Sequence, residues 1–367
     1  MLAFAFLFTP LAEQEARSED LSDLTAQLLQ DPQNTELNLR YARAAVAAGK
    51  PRLALAAYER ILLNDPDNEE AQQRYARLRR QIQPPQTSLR LVAGERWDSN
   101  AYNDSANEID ASTSFFIGTM LDERPIFGRR WRTSAAVEAE YLPEARDLDY
   151  GYAGIQAGPM FELGPRVTMI PSLGVSVASL SDKFYYNEVA ATLALEGRIE
   201  GLSPWGRVRV GYRDYAKQAT ADNGVYIEAM GGATVNHITS DADRVTVAGW
   251  TRWSDIDGSA KNLLNEDIVP GMYTEYGLEV AYSYEVSSHL TLGTAITGRQ
   301  RDYRDSSVGG EDRSDTYVAP EASATVTRVL PCNCAIRVSY RYRDNSSNDS
   351  FYDYDGEQVS AAFIARF

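Results

Sequence analysis

Arg207, Arg209 and Arg213 recur at even spacing in the run WGRVRVGYRDY, and Glu275, Glu279 and Glu285 do the same in TEYGLEVAYSYE. Glu138 with Glu140, Arg299 with Arg301, and Arg337 with Arg341 follow the same rule. A spacing of two or four puts such groups on one face of a strand. The chemistry open to them is electrostatic: lining a wet surface, pairing across it, or drawing in charged solutes. Catalytic sets are missing from the sequence pattern. The two histidines, His237 and His289, fall near predicted strand ends, and nothing singles out one Ser beside a His and a carboxylate. Cys332 and Cys334 form a CNC turn; two ligands do not close a zinc site, so the pair is either a local disulfide or two thiols. The loop DIDGSAKNLLNED at 255–267 lacks the spaced ligands and terminal Glu of a calcium loop. We therefore expect no enzyme activity, no cofactor and no metal.

The elements that must carry these charges are strands. From Leu89 onward apolar and polar residues alternate, and fourteen segments can be placed: 88–97, 108–121, 131–142, 148–162, 165–180, 184–200, 204–216, 223–237, 243–255, 272–285, 288–302, 314–328, 333–344 and 351–367. Each meets or exceeds the ~9–11 residues a tilted strand needs to cross a bilayer, and the number is even. Opposite the charges stand Val137 and Tyr141, Val208, Val210 and Tyr212, Tyr276 to Tyr284, and Val338 to Tyr342. An Arg or Lys facing lipid at mid-depth costs roughly 2–4 kcal/mol, so the charged face must be the lumen and the apolar face the wall. This register sends most tyrosines outward. The 22 Tyr, against 11 Phe and 5 Trp, suit the interfacial girdles of a transmembrane antiparallel β-barrel. The mean hydropathy of −0.39 agrees, because alternation averages out. A soluble sandwich would not need strands this long. The net charge of −16 argues against nucleic acid as a partner.

Connections fall into two alternating sets. Short ones (163–164, 200–203, 239–241, 287) share one end with a longer exception, 122–130; acidic, polar ones (97–104, 143–147, 217–222, 255–267, 303–315, 344–349) share the other. Short turns face the periplasm and long loops face outside in such barrels, which puts both termini in the periplasm.

Residues 18–83 read as helices, and Asp31-Pro32-Gln33-Asn34 recurs 34 residues later as Asp65-Pro66-Asp67-Asn68. That is the tetratricopeptide period. We read one full repeat (35–66), a preceding helix (18–30) and a closing helix (68–82). Ala54, Tyr58 and Ile61 mark the inner face. Such repeats bind extended segments, which makes Arg40, Tyr41 and Tyr75 candidate docking residues, with ordinary packing as the alternative. Residues 1–17, with an apolar run from Leu2 to Phe8, read as the remnant of a leader. The expected order is leader (1–17), periplasmic helical domain (18–83), Pro-rich linker (84–87) and outer-membrane barrel (88–367), monomeric and set in outer-membrane lipid.

Two stretches carry a resemblance. GERWDSNAYND holds Asp98, Ser99 and Asn100 after the first strand, and the closing hairpin holds Ser347, Asn348, Tyr352, Tyr354 and a final Phe367. With the helical head and strand number, these resemble the surface lipoprotein assembly modulator family, although this head is shorter than that family's. The resemblance implies a translocator that carries lipoproteins or other proteins to the cell surface, its head docking cargo. Exopolysaccharide export and passive diffusion are the alternatives; lumen-facing aromatics would favour the first of these.

Overall fold

The computed structural model describes residues 21–82, 84–105, 108–164, 166–217, 219–261, 265, 267–328 and 332–367. The expected leader at 1–17 and the first residues of the expected first helix lie outside them. The chain divides into two units, 1–83 and 84–367.

The first unit has four helices: α1 (Leu21–Gln30), α2 (Thr35–Ala47), α3 (Pro51–Asn64) and α4 (Glu69–Ile82). The repeated tetrapeptide does the same work twice. Asn34 Oδ1 accepts from Leu37 N at 3.0 Å, and Asn68 Oδ1 accepts from Ala71 N at 3.0 Å. Each Asn also donates to the Asp three residues before it at 3.1 Å. The residue four further on, Asn38 or Gln72, donates to the carbonyl of the Pro, closing the turn. Orphan amide groups of a helix start are thereby satisfied from within the repeat. Ala54, Ala57, Tyr58 and Ile61 are fully buried with Leu24, Ala42 and Ala45. The alanines let the helices approach, and Tyr58 fills the space between them.

The second unit is a closed barrel of fourteen antiparallel strands: β1 (Gln86–Asp98), β2 (Ala111–Ile126), β3 (Arg129–Tyr141), β4 (Tyr150–Pro159, resuming at Phe161–Glu162), β5 (Val167–Leu180), β6 (Lys183–Gly197), β7 (Leu202–Tyr215), β8 (Ala221–Asn236), β9 (Asp243–Gly258), β10 (Met272–Ser287), β11 (Leu290–Val308), β12 (Glu311–Thr327), β13 (Cys334–Ser347) and β14 (Tyr354–Arg366). Each pairs with its neighbours, and β1 closes on β14 from Arg90↔Arg366 to Asp98↔Gln358. Closure leaves no strand edge, which a bilayer requires.

All fourteen expected strands are present, with two differences at their ends. The 122–130 segment is no loop: β2 runs to Ile126, β3 starts at Arg129, and Phe127 and Gly128, at φ 50° and 74°, form the two-residue turn. Two successive positive φ values match the twist of a hairpin, and the Gly supplies one without strain. The 303–315 segment is likewise strand, because Gly309 and Gly310, at φ 62° and 91°, turn β11 directly into β12. Within and just after the 255–267 segment, Ala260–Lys261 pairs antiparallel with Asp267–Ile268. A disulfide joins Cys332, in the β12–β13 connection, to Cys334, the first residue of β13.

Candidate functional site: the lumen and the seam

Pairing fixes which face each residue takes. Glu188↔Arg213, Thr192↔Arg209 and Ala194↔Arg207 share one face of β6 and β7; Val189↔Tyr212 and Ala191↔Val210 share the other. The second face carries the exposed apolar side chains: Leu173, Val189, Val208, Val210, Tyr212, Tyr276, Leu278 and Ile296. Exposed apolar residues on every wall strand belong against lipid, so the first face lines the lumen.

On that face lie Glu138, Glu140, Arg207, Arg209, Arg213, Glu275, Glu279, Arg299, Arg301, Arg337 and Arg341, by the register of their strands. Most of their charges are paired between strands. Glu188 of β6 receives Arg213 Nε at 2.7 Å and also Arg209. Glu228 of β8 joins Arg207, at 3.0 Å, to Arg252 of β9. Glu275 takes Arg301 Nε at 2.8 Å and the Trp250 indole at 2.8 Å, and Glu321 takes both Arg337 and Arg341. Arg96 of β1 reaches past β2 to Glu140 at 3.0 Å. Arg132 of β3 reaches past two strands to Glu196 of β6 at 2.9 Å. Such reaches need the concave side of the wall. Glu138, Glu279 and Glu285 have no ion pair among the described residues.

The expectation that most tyrosines face outward needs correction. Tyr212, Tyr276, Tyr282, Tyr284, Tyr340 and Tyr342 do face lipid. Tyr150, Tyr152, Tyr186, Tyr215, Tyr226, Tyr273, Tyr303, Tyr317 and Tyr354 share the lumen face with the charges. Their rings stack on the guanidinium planes: Arg213 lies 4.8 Å from the Tyr186 centroid, Arg301 4.4 Å from Tyr273, Arg299 4.7 Å from Tyr317 and Arg313 4.3 Å from Tyr303. Room for rings comes from glycine. A Cβ on Gly211 would collide with the Tyr226 ring, and one on Gly277 with the Trp250 ring, so both aromatics lie flat on the wall. The signal was in the sequence. Tyr215, Tyr226, Tyr273 and Tyr303 each stand two residues from a lumen charge, in phase with it.

Asp98, Ser99 and Asn100 bond to the closing hairpin at the long-loop end of the β1–β14 seam. Arg343, buried, donates to Asp98, also buried, and to the carbonyl of Asn100 at 3.2 Å. Asp98 also accepts from Asn100 N at 3.0 Å and Gln358 Nε2 at 2.7 Å. Asn100 Nδ2 donates to Asp104 O at 2.9 Å and to Asp355 O at 3.4 Å. Ser99 pairs with Glu357 twice: Ser99 N donates to its carbonyl at 3.0 Å, and Ser99 Oγ accepts its N–H at 2.8 Å. Tyr352 stacks on Arg313, centroid to guanidinium 3.3 Å. Phe367 is exposed on the lipid side, held by backbone bonds to Leu89 at the other end of the seam. Arg343 was not expected at a site; its partner lies 245 residues away.

In the helical unit the docking candidates separate. Tyr41 is buried in the core, so its ring serves packing, not docking. Tyr75 is half-buried against the same core, with Arg79 6.0 Å from its ring, and Arg40 is half-buried. Glu70 receives Arg43 and Arg74 at 2.8 Å each, and the Arg43 bond foremost holds its carboxyl below the usual carboxylate range.

Fold and site together define a membrane-spanning β-barrel with a charged, aromatic-lined lumen and a helical-repeat head. Residues 14–82 match the tetratricopeptide repeat family model. No curated protein sequence matches the chain. Among solved structures, the chain is similar to the outer-membrane channel DcaP of Acinetobacter baumannii, at TM-score 0.47 and 11% identity over 77% of this chain and 97% of that one. It is also similar to OmpT of Vibrio cholerae (0.41, 10%, 78% and 100%) and OprD of Pseudomonas aeruginosa (0.38, 12%, 77% and 93%).

Proposed function

We propose that the protein is an outer-membrane translocator that delivers lipoproteins or other proteins to the cell surface, with the helical head docking cargo in the periplasm. One observation carries this reading. The first family-like stretch, Asp98-Ser99-Asn100, is hydrogen-bonded to the closing hairpin through Arg343 and Asp355 to Gln358, while the hairpin's own family-like residues, Ser347, Asn348, Tyr352, Tyr354 and Phe367, stand outside those bonds. Tetratricopeptide helices supply a surface for extended segments. The barrel works as a monomer in outer-membrane lipid.

The test is surface display. The protein is co-expressed with a lipoprotein encoded beside it, and external protease is added to intact cells. The lipoprotein should be cleaved only when the barrel is present, and should be protected when residues 21–82 are deleted. Cleavage that is the same with and without the barrel would end the proposal.

The lumen aromatics favour a second reading, export of a polysaccharide. Sugars stack on open aromatic faces that lie along a wall, and Trp250, flat over Gly277 and partly exposed, offers one, whereas Tyr226 is buried beneath Arg213 and Arg252. Loss of secreted polysaccharide on deleting the protein, with lipoprotein display unchanged, would favour this reading over the first.

A further inference from the structure

The bore holds a cavity of about 550 Å³ at the short-turn end, between the wall of β1 to β5 and Arg209 of β7. Its lining includes Ser134, Tyr152 and Gln156, together with Arg90, Arg209 and Arg366. Among the described residues no Asp or Glu side chain lines it. Arg209 is compensated, held by Glu188 and by the Tyr226 hydroxyl at 2.7 Å.

Arg90 and Arg366 are different. They are direct cross-strand partners on the lumen face of the seam. Both are exposed to the bore, and neither has an ion pair among the described residues. Of the lumen carboxylates without an ion pair among the described residues, Glu138 stands on β3, two residues beyond Ala136 of the lining, and Glu279 and Glu285 stand on β10. Like charges directly opposite each other in a sheet are destabilising. A chain of net charge −16 has acid to spare, yet none is placed here. Two adjacent guanidinium forks beside a void match the oxygens of a carboxylate or phosphate.

We propose that this cavity is a binding chamber for a soluble organic anion bearing a carboxylate or phosphate, gripped by Arg90 and Arg366. The proposal concerns the lumen and holds whichever cargo the barrel moves. Phosphate chemistry is shared with lipid headgroups, but Arg90, Arg209 and Arg366 all stand on the lumen face of their strands, which favours the soluble source.

The experiment is calorimetric titration of inorganic pyrophosphate into the full-length protein in a neutral detergent, comparing wild type with R90Q/R366Q. Wild type should bind, and the double variant should bind at least tenfold more weakly. The thermal midpoint of the variant should hold or rise, because a repulsion has been removed. No binding by wild type, equal binding by the variant, or weaker binding accompanied by a fallen midpoint would each overturn the proposal. A parallel titration uses phosphatidylglycerol micelles. Heat there with none from pyrophosphate would assign the arginines to lipid and overturn the soluble-anion assignment.

Discussion

At its long-loop end the β1–β14 seam is locked by Arg343, buried against Asp98 and bonded to Asn100; at its short-turn end the same two strands set Arg90 beside Arg366 and leave both facing an open cavity. One end spends its charge on itself. The other keeps charge available. A buried, hydrogen-bonded pair holds strands together because removing either partner strands the other without solvent. An exposed like-charge pair does the reverse, and is useful only when something else supplies the counter-charge. The seam thus separates holding from binding along its length.

The contrast can be broken most severely at the latch. Asp98→Ala leaves Arg343 buried and unpaired, and should cost about 3–5 kcal/mol in urea unfolding of the lipid-embedded protein. Replacing both partners, as in D98A/R343M, should recover much of that loss. If D98A unfolds with the wild-type midpoint, the two ends do not differ in the way argued.

A smaller effect calibrates a lone polar contact away from the seam. Asn34→Ala removes the acceptor for Leu37 N and should lower the stability of the helical unit by about 1 kcal/mol, followed by circular dichroism at 222 nm. Asn68→Ala should match it, since the repeat uses the same bond.

At the open end the sign should reverse. Arg366→Glu turns the cross-strand pair with Arg90 into opposite charges, and should stabilise the barrel by about 0.2–1 kcal/mol. A destabilised R366E barrel would mean that Arg366 has a structural duty comparable to that of Arg343.

The smallest effect lies in the helical unit and depends on pH. The Glu70 carboxyl is depressed by Arg43 and Arg74, so its contribution is complete above its unfolded pKa of about 4.3 and is lost as pH falls through the lower folded value. Because Glu70 is more than a third exposed, screening limits the contribution to about 0.5 kcal/mol or less. E70Q should flatten the pH dependence of the 222 nm melting midpoint below pH 5 relative to wild type.

Much of the fold was legible because alternation and a 34-residue repeat are local signals. Val208, Val210 and Tyr212 opposite Arg207, Arg209 and Arg213 declare a two-sided strand without any partner in view. Turn lengths were harder. Phe127-Gly128 and Gly309-Gly310 each close a hairpin in two residues, but the charged flanks on either side read as loop. The inward tyrosines were missed because composition was weighed over phase. Tyrosine suits the interface in general, whereas Tyr226 is placed by its distance of two from Glu228. The latch and the Arg90–Arg366 pair were out of reach for another reason. Both are contacts between the first and last strands of a closed ring, and only closure brings them together.

The β11–β12 hairpin has a consequence outside transport. Its strands run 19 and 17 residues, several more than the ~9–11 a bilayer crossing takes, and it ends in Gly309-Gly310. At about 3.4 Å per residue, the surplus of about 8–10 residues on β11 lifts that tip about 30 Å along the strand direction. In the orientation proposed above, the tip is what an antibody or a phage tail fibre meets first. A peptide tag spliced between the two glycines would stand clear of the wall, which makes this the natural handle for labelling the protein on living cells.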